Sequence, residues 1–274
     1  MTPTLSVIVT TYNWPEALKH VLLALAKQMK PTDEVLIADD GSDAKTEKLI
    51  RSVKAGFPCP LKHIWHEDRG FRAAAIRNRA IAQTRGQYVV FLDGDCVPLP
   101  HTIEAHRHLA ESGWFVSGNR ILSTKAWSER LLLQSKVAER SLLSWLFLRC
   151  TGKINRVLPA CALPLGSLRK RSPTEWEGAK TCNLGVWRAD LIRVNGFDEG
   201  FEGWGYEDSE LVARLIHNGI QHKNGRFGTG VLHFWHPERA RDQEKANWQR
   251  FIAVVKEHKM QAIRGIQHLE QPVS

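Results

Sequence analysis

The chain has 274 residues, 43% of them hydrophobic and 24% charged, with five cysteines and a formal net charge of +9. This length holds one large domain or two small ones, and no apolar run approaches the roughly eighteen residues of a membrane-spanning helix. The start, Met1-Thr2-Pro3-Thr4, lacks the basic segment of a signal peptide, and the widely spaced cysteines form neither a zinc motif nor a disulfide framework, so the expected compartment is the reducing cytoplasm. The positive charge favours an anionic partner such as a nucleotide, a phosphorylated glycan or an anionic membrane surface. Nucleic acid is not expected, because its binding motifs are absent and Lys and Arg occur along the whole chain.

The first half alternates strands and helices. Leu5–Thr11 predicts a buried strand. Pro15 suits the first turn of a helix running to about Gln28. Glu34–Ala38 predicts a second strand, ending in Asp39-Asp40-Gly41-Ser42-Asp43, where Ser42 or Asp43 can cap the next helix. Leu61–Trp65 predicts a third strand, Phe71–Thr84 a helix rich in alanine and arginine, and Tyr88–Leu92 a fourth strand. This alternation predicts an α/β fold with a mostly parallel, doubly wound sheet.

Segment 123–175 breaks the rhythm. Within Trp127–Arg149 the residues Trp127, Leu131, Ala138, Leu142 and Trp145 keep helical spacing, and a proline-bounded basic loop, Leu163–Pro173, follows. The simpler reading is a helical insertion packed on the sheet. The alternative is an amphipathic element that touches a membrane surface. Beyond it, Thr181–Arg188 predicts a strand, Asp190–Asn195 a short helix ended by Gly196, and Glu207–Asn218 a longer one ended by Gly219. Phe227–Trp235 predicts a strand and Arg239–His258 a terminal amphipathic helix.

The chemistry-bearing residues cluster at strand ends. Asp93 and Asp95 leave the fourth strand one residue apart, before Pro98. Two carboxylates so close repel unless a cation sits between them, and hard oxygen ligands suit Mg²⁺ or Mn²⁺. Thr10-Thr11-Tyr12-Asn13 and Asp39-Asp40-Gly41-Ser42 follow the first two strands, where an α/β sheet gathers its ligands. The first of these lacks Gly-x-Gly-x-x-Gly, which argues against hydride transfer, whereas Asp39 or Asp40 can bond a base N–H or a ribose hydroxyl. Of Arg72, Arg77 and Arg79, most are expected on solvated faces and one on a nucleotide or diphosphate. Gly203-Trp204-Gly205 presents an indole that can stack on a sugar ring. Glu207 and Asp208 begin a helix, whose positive end favours carboxylates. His233 and His236 would face opposite sides of a strand, so one of them is expected to complete a divalent cation's shell.

In combination, Ser6–Asn13, Asp39-Asp40-Gly41-Ser42, Arg77-Asn78 and Asp93-Gly94-Asp95 resemble the family 2 glycosyltransferases of the GT-A fold. Gly203-Trp204-Gly205-Tyr206-Glu207-Asp208 resembles the acceptor half of β-1,4-galactosyltransferases and bacterial chondroitin-type polymerases. The resemblance covers roughly residues 5–120 and 180–240. It implies one GT-A domain over 1–274: a nucleotide-sugar half (1–120), a helical insertion (121–175), an acceptor and catalytic half (176–240) and a C-terminal helix (241–274). Position by position, it implies that Thr10 and Tyr12 line the nucleotide pocket, Asp39 or Asp40 bonds uracil, and Arg77 supports the base or diphosphate. Asp93 would contact ribose or donor sugar, and Asp95 with His233 or His236 would bind Mn²⁺ or Mg²⁺. Trp204 would stack on the acceptor, Asp208 would be the general base and Glu207 would position hydroxyls.

The implied function is an inverting transfer from a UDP-sugar to a glycan or glycolipid acceptor, in lipopolysaccharide or other bacterial surface polysaccharide synthesis, on the inner face of the cytoplasmic membrane. The alternatives are a sugar nucleotidyltransferase, which would carry a Gly-rich, Lys-bearing loop where Thr10–Pro15 stands, and a non-catalytic carbohydrate-binding or membrane-scaffolding protein.

Overall fold

The first strand of the chain lies inside the largest sheet, paired on both sides. In a computed structural model that describes residues 2–134, 136–238 and 241–269, β1 (Leu5–Thr11), α1 (Pro15–Ala26), β2 (Glu34–Asp39), α2 (Ala44–Lys54), β3 (Leu61–Trp65), α3 (Ala73–Ala82) and β4 (Tyr88–Asp93) follow in order. Strands β1 to β4 pair in parallel in the order β3-β2-β1-β4. Helices cover both faces, so the strands read as apolar runs: Val7, Ile8, Val9, Val89, Val90 and Phe91 are fully buried. Alternate residues serve different cores. Val7, Val9, Val35, Ile37, Val90 and Leu92 pack with α1, while Ile8, Leu36, Ala38, Val89 and Phe91 pack with α3.

Short elements follow: β5 (Cys96–Pro98), α4 (Thr102–Leu109), β6 (Trp114–Ser117) and β7 (Asn119–Leu122). The insertion contributes α5 (Lys125–Leu132) and α6 (Leu142–Cys150), and the chain continues through β8 (Asn183–Trp187), α7 (Arg188–Arg193), α8 (Glu207–His217), β9 (Gln221–Asn224), β10 (Gly230–His233) and α9 (Glu244–Lys256). Among the described residues, β8 extends the main sheet antiparallel to β4, and β6 and β9 complete seven strands in the order β3-β2-β1-β4-β8-β6-β9. A second sheet orders β5-β10-β7. No described helix is long and apolar enough to cross a membrane.

Several sequence expectations are corrected here. The segment Trp127–Arg149 is two helices, not one: α5 stops at Leu132, Val137 and Ala138 turn into the core, and Ser141 caps α6 by accepting from the Ser144 amide at 3.3 Å. The strand expected over Phe227–Trp235 is confined to Gly230–His233, because Phe227 adopts a left-handed φ of 58°. The terminal helix starts at Glu244; Arg239, where it was expected to start, lies outside the described residues, as do 270–274 of the C-terminal segment. Strands β5, β6, β7 and β9 and helix α4 were not foreseen, since three to eight residues carry too little periodicity.

Candidate active site

The strand order reverses at the β1/β4 junction, the position at which open α/β sheets bind ligands beyond their carboxyl ends. Thr10 on β1 is opposite Asp93 on β4, and Thr11 is opposite Asp39 on β2. The motifs found along the sequence therefore converge on one edge through register alone.

Arg77 is the hub. It projects from α3, is 4% exposed, and donates from Nε to Thr10 Oγ1 at 3.0 Å. Its guanidinium reaches Asp93 Oδ1 and Glu207 Oε1 at 3.4 Å each and Asp208 Oδ1 at 3.5 Å. One buried cation thus joins the carboxylates of the first half to those at the start of α8. Asn78, its neighbour, is structural: it bonds Phe197 through both its amide nitrogen and its oxygen.

The carboxylates differ in environment. Glu207 is pushed up to about 7 by burial and then by the charge of Asp208, with Arg77 opposing both. Asp93 is pushed up to about 6 by desolvation in the cleft, which Arg77 opposes and Asp95 reinforces. Asp208 accepts from Thr181 Oγ1 at 2.5 Å. Tyr206, at the entry to α8, takes a left-handed φ of 69° after Gly205 at 112°, a bend that turns the helix start and its carboxylates toward Arg77.

Asp95 faces two imidazoles. His236 Nε2 lies 3.2 Å and His233 Nε2 3.8 Å from Asp95 Oδ2, and the rings are 5.2 Å apart. The expectation that only one histidine enters the site is therefore corrected. Strand β10 ends at His233, so strand alternation no longer governs His236, and the turn into Pro237 brings both rings to one carboxylate. Burial lowers the His233 pKa, which favours the neutral, metal-ligating imidazole. Asp95 and His233, with the Cys96 sulfur beside them, bring their donor atoms within 4.8 Å of one another, and a carboxylate oxygen with an imidazole nitrogen suits a divalent transition ion, so Asp95 and His233 fit such an ion while His236 stands next to Asp95. The Cys96 thiol donates to Asp95 Oδ1 at 3.4 Å, and burial holds that thiol well above its usual range, leaving it a hydrogen-bond donor.

The aspartates at the end of β2, expected to meet a nucleotide, are more internally bonded than the sequence suggests. Asp39 accepts the Ser42 amide at 2.8 Å and lies 2.8 Å from His63 Nε2. Asp40 lies 2.7 Å from His66 Nε2 and accepts the Arg72 amide at 3.0 Å. Both aspartates are almost fully buried. Tyr12 donates to the exposed Asp68 at 2.8 Å, and Gly41 is needed beneath it: a Cβ there would lie 2.6 Å from the Asp68 Cα. Trp204 is 37% exposed, and the Arg241 guanidinium sits 4.5 Å from its ring centroid.

Sequence reasoning missed Thr181, Asp68, His63, His66 and Arg120. Arg120, on β7, is a half-buried cation whose charge acts to lower the Asp93 carboxyl. None has a spacing motif. The Glu67-Asp68-Arg69-Gly70 turn was the one available hint.

The sheet order and the flanking helices define a fold of the GT-A type. The chain belongs to glycosyl transferase family 2, whose model matches residues 6–160; the N-terminal domain of galactosyltransferase matches 167–237. It is 29% identical over 242 residues to validoxylamine A glucosyltransferase of Streptomyces hygroscopicus subsp. limoneus, covering 84% of this chain and 51% of the relative. It is 24% identical over 237 residues to chondroitin synthase of Escherichia coli, covering 78% of this chain and 32% of the relative. Among solved structures, GalNAc-T7 with UDP, GalNAc and Mn²⁺ superposes with a TM-score of 0.61 at 15% identity, over 92% of this chain and 48% of the other. The chain spans about half the length of the first curated relatives it matches.

Proposed function

We propose that this chain is an inverting, metal-dependent glycosyltransferase that moves a sugar from a UDP-sugar to a hydroxyl of a glycan or glycolipid. The observation that carries the reading is the convergence on Arg77 of Asp93 from the donor side and Glu207 and Asp208 from the acceptor side. Residues 1–120 would hold the nucleotide sugar, 176–240 the acceptor, 121–175 would be the insertion, and 241–274 would close the domain.

In this mechanism Asp208 removes the proton from the acceptor hydroxyl as its oxygen attacks the anomeric carbon. The bond to the UDP oxygen breaks on the opposite face, so an α-linked donor yields a β-glycoside. Glu207 positions hydroxyls, and Thr181 holds Asp208. Arg77 keeps the three carboxylates together, so its contribution to donor binding is largely through Asp93. Thr10, Tyr12, Asp39 and Asp40 shape the nucleotide pocket, with Asp68 at its rim. Trp204 offers its indole to the acceptor. Asp95, His233 and His236 would hold Mn²⁺ or Mg²⁺, which supplies charge stabilisation for the departing diphosphate.

The biological setting we propose is synthesis of lipopolysaccharide or another bacterial surface polysaccharide, by a cytoplasmic protein peripheral to the inner membrane. Family membership and the paired carboxylates favour sugar transfer over the nucleotidyltransferase and non-catalytic readings. The test is thermal unfolding across a panel of UDP-sugars with and without Mn²⁺. At about 100 times its dissociation constant, the true donor adds about 2.7 kcal/mol of stability. No shift with any UDP-sugar in the presence of metal overturns the reading.

A further inference from the structure

The chain's charge is unevenly distributed. Although Lys and Arg occur throughout, residues 121–175 hold ten of them against three Asp and Glu, so this insertion carries +7 of the net +9. No acidic residue lies between Glu139 and Glu175.

The same segment carries an outward apolar face. Helix α6 turns Trp145 and Leu148 into the core, both 3% exposed. On its other side Leu142, Leu143, Leu146 and Phe147 are 50%, 78%, 45% and 61% exposed. Residues 143, 146 and 147 share one helical face, as do 142 and 146. A helix that is apolar all round belongs in a core or a membrane, yet this one lies at the surface. Leu133, at 89%, and Leu158, at 60%, extend the exposed apolar set. Basic groups accompany them: Arg149 lies in the last turn of α6, Lys153 Nζ lies 5.5 Å from the Phe147 ring centroid, and Arg156 is exposed.

This element is tied to the metal-side residues. The Ser123 amide donates to the His233 carbonyl at 3.1 Å, and Ser128 Oγ on α5 accepts the Trp235 amide at 2.8 Å. Lys125 Nζ lies 5.3 Å from the Trp235 ring centroid. The insertion is therefore anchored to the strand end that delivers His233 and His236 to Asp95.

We propose that the outer face of α6 docks on an anionic lipid bilayer, with Leu143, Leu146 and Phe147 entering the interface and Arg149, Lys153 and Arg156 engaging headgroup phosphates. Basic residues around an inserted apolar face give adhesion that needs both terms, because neither a few apolar side chains nor surface charge alone holds a protein durably. Docking there fixes the active-site cleft relative to the bilayer, which suits an acceptor presented at that surface. The docking rests on the peripheral-membrane setting proposed above, and vesicle binding is read separately from sugar transfer, so the two can fail independently.

The experiment is cosedimentation of the full chain with vesicles of phosphatidylcholine alone and of equal parts phosphatidylcholine and phosphatidylglycerol. Binding is expected to the anionic vesicles, at least about ten times weaker to the neutral ones, and to weaken as salt screens the charge. Leu143→Asp with Phe147→Asp is expected to lower anionic-vesicle binding by roughly ten- to a hundredfold, with the thermal midpoint unchanged because both side chains are exposed. Arg149→Gln with Arg156→Gln is expected to lower it without altering the fold. Equal recovery in the supernatant with and without anionic vesicles overturns the proposal, as does undiminished binding by folded Leu143→Asp, Phe147→Asp protein. Sedimentation equilibrium showing a dimer that those substitutions dissociate, with no vesicle binding, assigns the face to a second copy and also overturns it.

Discussion

Thr181 Oγ1 donates to Asp208 Oδ1 at 2.5 Å. Arg77 Nη1 approaches the same oxygen to 3.5 Å, while Oδ2 carries no protein hydrogen bond among the described residues. One oxygen of the carboxylate is thus anchored, and in the proposed mechanism the other takes the proton of the incoming hydroxyl. Asp208→Asn keeps size and shape but cannot take the proton, so transfer is expected to fall by roughly a hundred- to ten-thousandfold. Thr181→Val leaves the base in place and loosens it, so a smaller fall, confined to kcat, is expected. Steady-state kinetics on variants whose folding is checked by circular dichroism decide this. Near-normal turnover by Asp208→Asn would move the base to Glu207.

Asp95 with His233 and His236 makes a second prediction. Asp95→Ala is expected to abolish the Mn²⁺-dependent part of UDP affinity in calorimetry, and each single histidine-to-alanine change to weaken it less. Unchanged UDP affinity in Asp95→Ala would take the metal elsewhere.

Arg77 is a packing element as well as an active-site one. Arg77→Met leaves Asp93, Glu207 and Asp208 gathered without their cation, and losing one partner of a buried ion pair costs about 3–5 kcal/mol. Urea unfolding should show a loss of that order at neutral pH. A loss under about 1 kcal/mol would mean the carboxylates do not depend on Arg77.

Glu207 sets a pH dependence. Its pKa is raised to about 7 in the fold, from an ordinary value of 4.5. Between these values the folded protein binds more protons than the unfolded chain, so this group's contribution to stability declines as pH rises from 4.5 to 7. Glu207→Gln removes the effect. Its thermal midpoint should exceed that of the parent at pH 8 and approach it at pH 5. A constant difference across that range would show that Glu207 does not titrate as its burial implies.

Trp204 differs from the carboxylates in what its loss should change. Trp204→Ala removes a stacking surface rather than a proton acceptor, so the acceptor KM should rise with kcat largely kept. A fall in kcat at unchanged acceptor KM would assign the indole to the fold of the loop.

Much of the first half was legible because β1, β2 and β4 are buried on both faces and each ends in a polar motif. Leu5–Thr11 and Leu61–Trp65 match their predicted bounds. The paired histidines were misread because alternation was applied beyond the strand's end at His233. Thr181 was invisible, since a lone threonine just before β8 and 27 positions from Asp208 meets it only through the tertiary fold. The double bonding of Asp39 and Asp40 was hidden for the same reason: His63 and His66 come from a neighbouring strand and the loop after it. Segment 123–175 showed helical spacing, but the break at Leu133–Arg140 depends on Val137 and Ala138 finding a place in the core.

A single in-line displacement driven by Asp208, as proposed, fixes the configuration of the product. The most direct measurement is the anomeric configuration of the glycosidic bond formed from an α-linked UDP-sugar of gluco or galacto configuration, read by proton NMR of the product. The account predicts a β-glycoside, with the large axial–axial coupling between H1 and H2. An α-glycoside would contradict it, since retention requires a covalent or front-face route in place of a single in-line displacement.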